Sequence, residues 1–449
     1  MKKYRFLITI PHDTHYYFYN CNELAKSLKL LGHDVSISKN NLNGISLNKF
    51  IIKYKIDIVL QINQGPVAEL PAKVVHISWY QDIHDEHIDI QNYLNSKSII
   101  YLLGSPKNFN LGFKPKVLCK NYFFGVNKNI IKKKEIEKDI DINHIAYIPR
   151  ANSKILENSI VILFSKLFSF FSVSLFIYKF INMLSKIYKK YQSYNFLLNI
   201  NFSRKKFFIF HIPVKNYIEQ KIKHLYKTLR YILESETIHT FHRYINNNYT
   251  PLGGNLNVLE IKQKLRKIKN FDYLWDRHKF ILTEYPRLLD RLLIGDHLLK
   301  LSTKYNVFLA GKNWNSYSKF AKISRPHISS HKQIIDIYRR SKITICNNNH
   351  GIGMHSRVLE SMAAGSFVLM NESPFSKEPS GIGYSLKKGT HYDVYNKDNL
   401  TEKIEYWLKN NKKRTNAIQY AKKFILKNHL WSNRANELIT DLKYIKNKK

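Results

Sequence analysis

The chain of 449 residues is long enough for two domains, each with its own core. Its 44% hydrophobic content excludes a disordered polymer. With 73 Lys plus Arg against 33 Asp plus Glu, the formal net charge is +40, a field that draws anionic lipid, nucleic acid or phosphorylated small molecules.

The N-terminal run Phe6 to Ile10 is apolar but is stopped at once by Pro11-His12-Asp13, so it reads as a first strand and is too short for a signal peptide. Helical spacing follows over Cys21 to Leu31, ending at Gly32. Next come a strand over His33 to Ser38, a helix over Leu47 to Lys55 and a largely apolar strand over Ile56 to Ile62. Val74 to Ser78 and Ser98 to Leu103 continue the strands. Strands separated by short helices imply right-handed crossovers and a Rossmann-like sheet over residues 1–150.

Residues 151–270 read as a largely helical insert rich in Lys, Ile, Leu, Phe and Tyr. Its most apolar part, Ile160 to Leu184, is interrupted by Lys166 and Lys179, and the uninterrupted core is too short for a bilayer. Three readings stand for it: a buried or dimer-forming helix, a membrane-surface helix flanked by Lys186, Lys189 and Lys190, and a transmembrane span.

Strand-helix alternation returns from Leu282 and defines a second Rossmann-like domain over 271–430, followed by a C-terminal helix over 431–449. Its expected elements are a helix over Pro286 to Lys304, a strand over Val307 to Ala310 and a helix over Ile334 to Ser341. A strand over Ile343 to Cys346, a helix over Ser356 to Ala364 and a strand over Phe367 to Met370 come next, and three helices close the chain. The fold class is therefore α/β, two Rossmann-like domains with a helical insert between them. Cys21, Cys119 and Cys346 lie far apart, which fits a reducing compartment and suggests neither a disulfide framework nor a zinc site.

Ligands of doubly wound sheets sit beyond the carboxyl ends of strands, where loops enter helices. The densest such loop runs Asn347-Asn348-Asn349-His350-Gly351-Ile352-Gly353-Met354-His355-Ser356. Gly351 and Gly353 let the backbone approach a ligand, and free amides at the helix start favour a phosphate. Arg357 adds a fork-shaped cation, and Glu360, a turn further on, suits a ribose diol. Each piece alone has a plainer reading: a tight turn for the glycines, structural roles for His350 and His355, an ordinary helical glutamate at position 360.

The stretch from Val307 to Ala435 resembles the C-terminal half of group 1 glycosyltransferases, in particular the spore-maturation (CgeB-like) branch. The resemblance is carried by Phe308-Leu309-Ala310-Gly311-Lys312-Asn313-Trp314, then Ile337 to Ile343, then Gly353 through Gly365 with Arg357-Val358-Leu359-Glu360. Further on, Lys388 to Tyr392 precedes Asn399 to Ile404, and His429-Leu430-Trp431 precedes Arg434-Ala435. The resemblance implies the two-domain GT-B fold and a nucleotide-diphosphate sugar as donor substrate, with no cofactor and no metal. It also implies donor contacts from Gly311, Lys312, His350, Gly351, Gly353, His355, Ser356, Arg357 and Glu360. Retaining members usually carry a glutamate eight positions before the ribose glutamate; here that position is Ile352, so the stereochemistry stays open.

By the same analogy the N-terminal half would bind a glycan, lipid or protein acceptor. Asp82, His12 and Asp13 lie in loops after strands and are candidates for the base that deprotonates an acceptor hydroxyl. Asp82 reads equally well as a helix N-cap. The charge suits a cytoplasmic protein peripheral to the inner face of the membrane. A binding protein that keeps the fold without transfer is the alternative reading. Nucleic acid is the weaker one, because the basic residues are spread along the chain without a zinc-finger or RNA-binding motif.

Overall fold

The computed structural model describes residues 2–11, 14–39, 42–81, 97–104, 117–132, 136–149, 243–257, 260–261, 271–350, 354–379 and 381–447, with backbone only for 271–283. Most of the expected insert over 151–270 lies outside these residues, Ile160 to Leu184 included.

The first sheet orders its six strands β2-β1-β3-β4-β5-β6, every neighbour parallel. These are β1 (Arg5–Thr9), β2 (Asp34–Ser38), β3 (Ile58–Ile62), β4 (Val75–Tyr80), β5 (Ile99–Leu102) and β6 (Leu118–Asn121). Strands β3, β4 and β5 are buried along their whole length, as a sheet covered on both faces requires. Alternate residues feed two cores. Phe6, Ile8, Ile58 and Leu60 pack with Cys21, Leu24 and Leu28 of α1 (His15–Leu30), whereas Leu7 and Val59 pack with Leu47 and Ile51 of α2 (Gly44–Tyr54). Thr14 caps α1 by accepting from the Tyr17 N–H.

A short helix α3 (Lys128–Lys132) leads to the second sheet, ordered β12-β11-β10-β7-β8-β9 and again parallel throughout. Its strands are β7 (Ile140–Ile145), β8 (Val307–Ala310), β9 (Ser324–Arg325), β10 (Ser341–Cys346), β11 (Phe367–Asn371) and β12 (Tyr392–Tyr395). Strand β7 thus belongs to the second sheet although it precedes residue 150, where the sequence suggested the first domain would end. The helices are α4 (Phe271–Leu301), α5 (His331–Arg340), α6 (Ser356–Ala364), α7 (Ile382–Ser385), α8 (Leu400–Lys409), α9 (Asn411–Asn428) and α10 (Trp431–Asn447). Helix α4 begins before Pro286, the expected start, and carries that proline inside it. Among the described residues no helix is long and apolar enough to cross a membrane.

Two chain crossings link the sheets, and they are locked to each other. Val126 N–H donates to the His429 carbonyl at 2.7 Å and Trp431 N–H to the Val126 carbonyl at 3.2 Å. Trp431 then enters the first core beside Trp79, and α10 continues along α1. Tyr101 donates to Asp441 at 2.6 Å, and Lys120 pairs with the same carboxylate at 3.0 Å. A Cβ on Gly125 would stand 2.7 Å from the Trp431 Cα, so only glycine lets the two crossings touch. Gly125→Ala should therefore destabilise the protein by about 1–3 kcal/mol through overpacking, read from the urea midpoint. An unchanged midpoint would show the crossings are not tightly apposed.

Candidate functional site

With β7 as its first strand, the second sheet has the order 6-5-4-1-2-3, so the order of strand addition reverses between the parallel neighbours β7 and β10. The carboxyl ends of those two strands are where such a sheet offers a ligand site. What the sequence places there is polar and mostly cationic.

Below the 347–350 loop lies a buried carboxylate. Asp290 of α4 is fully buried, and both of its oxygens are used. Oδ1 accepts from the Tyr249 hydroxyl and the Leu252 N–H, each at 2.8 Å. Oδ2 accepts from the amides of Asn347 and Asn349, each at 2.8 Å. The segment 249–257 is fixed to the same loop, since Leu256 N–H donates to the Asn349 carbonyl and His350 Nδ1–H to the Leu256 carbonyl. Beside it, buried Arg291 donates to His144 Nε2 at 2.9 Å and to the Asn347 side-chain oxygen. His144 in turn donates from Nδ1 to the Ile345 carbonyl at 2.8 Å, which sets its tautomer. Burial, then the Arg291 charge, hold His144 neutral. Burial, then the Arg357 and Arg287 charges, push Arg291 down to about 9, so it stays cationic at neutral pH.

Helix α6 begins at this point. His355 is its N-cap, and Nδ1 accepts from the Arg357 N–H at 3.3 Å. Burial and the neighbouring Arg357 and Arg291 charges push His355 down to about 3, so it caps as the neutral acceptor and is no proton donor. Tyr16 of α1 stacks on it at 5.7 Å, and the Ser356 hydroxyl lies 3.4 Å from the Tyr16 hydroxyl. The Arg357 guanidinium donates to the Ile145 carbonyl at the end of β7, at 3.0 Å. Among the described residues neither Arg291 nor Arg357 makes an ion pair. The helix N-terminus adds its own positive end to the same spot.

The remaining expected residues are placed as follows. Glu360 is 5% exposed and its carboxylate receives the His331 Nε2–H at 2.8 Å. Tyr19 of α1 stacks on that imidazole at 3.6 Å, and burial, then Glu360 and Glu23, hold its phenol well above the ordinary value. Gly311 is a packing glycine: at φ +144° it passes Ala146, whose carbonyl oxygen would stand 2.0 Å from a Cβ. Lys312 beside it is exposed. Gly351 and Gly353, and the base candidates His12, Asp13 and Asp82, lie outside the described residues. Among the described residues no group of His, Cys, Asp and Glu is arranged to hold a metal.

Sequence reasoning missed Asp290, Arg291, His144, Tyr249 and His331. A signal existed for the first two: Asp290-Arg291 interrupts the leucines of α4 at Leu288, Leu289, Leu292 and Leu293. A charged pair inside such a run is either solvent-facing or satisfied within a buried network, and here it is the latter.

The architecture is that of the GT-B glycosyltransferase fold. Anabaena Alr3699/HepE, solved in complex with UDP-glucose, superposes at a TM-score of 0.52 and 8% identity, covering 98% of this chain and 99% of that one. Sucrose-phosphate synthase from Thermosynechococcus elongatus gives 0.50 at 7% identity over 99% and 100%. At such identities the likeness carries the fold alone. Residues 291–440, about a third of the chain, match the family described as Glycosyl transferase-like, and the matched stretch contains Arg291 and the whole of α6. No curated protein matches the sequence.

Asp290 gives this site a pH signature. Burial pushes its carboxyl up to about 6, outweighing the hydrogen bonds it accepts. Because this native value lies above the unfolded value of about 3.9, ionisation costs stability. The cost is absent below the unfolded value, grows as pH rises towards 6 and is constant above it. In Asp290→Asn the slope should vanish, so the variant's stability relative to wild type improves from pH 4 to pH 7. Equal differences at both values, read by urea denaturation, would contradict the assignment.

Proposed function

We propose that the protein transfers a sugar from a nucleotide-diphosphate donor to a cell-surface, lipid-linked or protein acceptor, with the donor held at the β7–β10 switch point. The supporting observation is the pair of guanidiniums, Arg291 and Arg357, that converge without ion pairs among the described residues where α6 presents its positive end. A diphosphate leaving group needs such fixed positive charge, and a site that supplies it needs no metal for that purpose. The family matched over residues 291–440 and the UDP-glucose held by the Anabaena neighbour agree with this reading. The spore-maturation branch and a hexose as the transferred sugar are the finer assignments we favour.

Within this site Arg357 contacts the diphosphate and Arg291 positions the loop from beneath, because its guanidinium is committed to His144 and Asn347. The sequence offers Gly351 and Gly353 to the same group, with His350, Ser356 and Lys312 as further donor contacts. Glu360 accepts from the ribose diol, exchanging its bond to His331 for one to the nucleotide. The acceptor base comes from His12, Asp13 or Asp82. Acceptors at the inner face of the membrane suit the positive charge.

Calorimetry with UDP and GDP tests the donor site. Arg357→Ala should weaken nucleoside diphosphate binding about ten- to a hundredfold, the worth of one charge-assisted hydrogen bond. Glu360→Ala should weaken binding to the diphosphate but not to inorganic pyrophosphate, which has no ribose. Binding of neither nucleotide at millimolar concentration would sink the proposal. Binding without donor turnover would favour a non-catalytic binding protein, the reading that Ile352 in place of the usual glutamate supports.

A further inference from the structure

The aliphatic side chains more than half exposed among the described residues are Leu30, Ile45, Ile52 and Val67. Three of these four are gathered at α2. Ile45 and Ile52, at 76% and 70% exposure, are seven residues apart, which places them on one face of the helix. Val67 is at its amino end, where its Cγ2 would stand 3.8 Å from a Cβ on Gly44. The opposite face, Leu47 and Ile51, is fully used in packing on the first sheet. So α2 is apolar on both sides, and only one side has a partner within the described residues.

The charge around this face is predominantly basic, Glu69 being the acidic residue beside it, with its carbonyl accepting from the Asn48 side chain of α2. Lys49 lies between the two isoleucines on the outer face, and Lys53 is one turn beyond it. From Val35 to Ile56 the chain has four lysines and no acidic residue. A protein partner could match the apolar strip, but nothing here is shaped to select one. An anionic bilayer surface matches both properties at once: its acyl boundary takes the isoleucines and its headgroups take the lysines.

We propose that the outer face of α2, centred on Ile45, Lys49 and Ile52, docks the protein on anionic lipid. The inference does not rest on the donor reading: it concerns the first sheet and would hold for a protein without transferase activity. Helix α2 is short, and its capping box at Asn43 and left-handed Lys55 fix it as a rigid platform of three turns.

The test is co-sedimentation of the full chain with vesicles of phosphatidylcholine alone or mixed with phosphatidylglycerol. Wild type should bind the mixed vesicles and not the neutral ones. Ile45→Glu/Ile52→Glu should lower the partition coefficient about tenfold or more, since two buried isoleucines are lost. Lys49→Glu/Lys53→Glu should lower it too, whereas Leu30→Glu, on the other face of the sheet, should leave it unchanged. Thermal melts of all variants exclude misfolding as the cause, because these side chains are exposed. Three results would overturn the proposal: wild type failing to bind anionic vesicles, the isoleucine pair binding like wild type, or Leu30→Glu losing binding equally. The second result would assign membrane binding to another segment of the chain.

Discussion

One buried carboxylate organises the loop at the switch point of the second sheet. Asp290 has no solvent contact, and four donors from two separate stretches of chain converge on it: Tyr249 and Leu252 from one, Asn347 and Asn349 from the other. Removing it would strand those donors in a place where each costs on the order of 1–3 kcal/mol. The described part of the loop after β10, residues 347–350, can therefore hold a fixed shape although it is made of asparagine and histidine, residues with little packing value. Arg291, next to it on α4, extends the network through Asn347 to His144 and the β10 backbone.

The same network explains why the positive charge here is available. A guanidinium paired with a carboxylate is neutralised before a ligand arrives. Asp290 is instead spent on amide and hydroxyl donors, and it sits beneath the loop. Arg357 rests on a main-chain carbonyl, and the two histidines nearby are held uncharged, so they neither add to the field nor titrate at neutral pH. Charge is concentrated on groups that keep their protons. The histidines act as fixed hydrogen-bonding parts.

Much of the fold was legible because a parallel sheet buried on both faces demands long aliphatic runs, and β1, β3, β10 and β11 supply them. The missed strands failed that test for definite reasons. Strands β6, β9 and β12 lie at or next to sheet edges and are partly exposed or short. Strand β7, Ile-Asp-Ile-Asn-His-Ile, is central, but its polar positions are committed elsewhere: Asp141 to the Asn306 N–H and Lys342, Asn143 to Thr344, His144 to Arg291. The α6 part of the site could be read because Ser356, Arg357 and Glu360 are neighbours in sequence. Its support could not, because Asp290 and Tyr249 come from far upstream and meet the loop only in three dimensions. Glu360 shows the other limit: the sequence offers it to a ribose diol, but its partner His331 and the cover from Tyr19 depend on α5 and α1.

The central claim is that the loop from β10 into α6, held from below by Asp290, is where a nucleoside diphosphate binds. Amide hydrogen exchange with and without UDP tests it directly. The account predicts slower exchange across residues 347–360 on UDP addition, with the first sheet's β3 and β4 unchanged. Exchange that stays the same over 347–360, or slows only elsewhere, would contradict it.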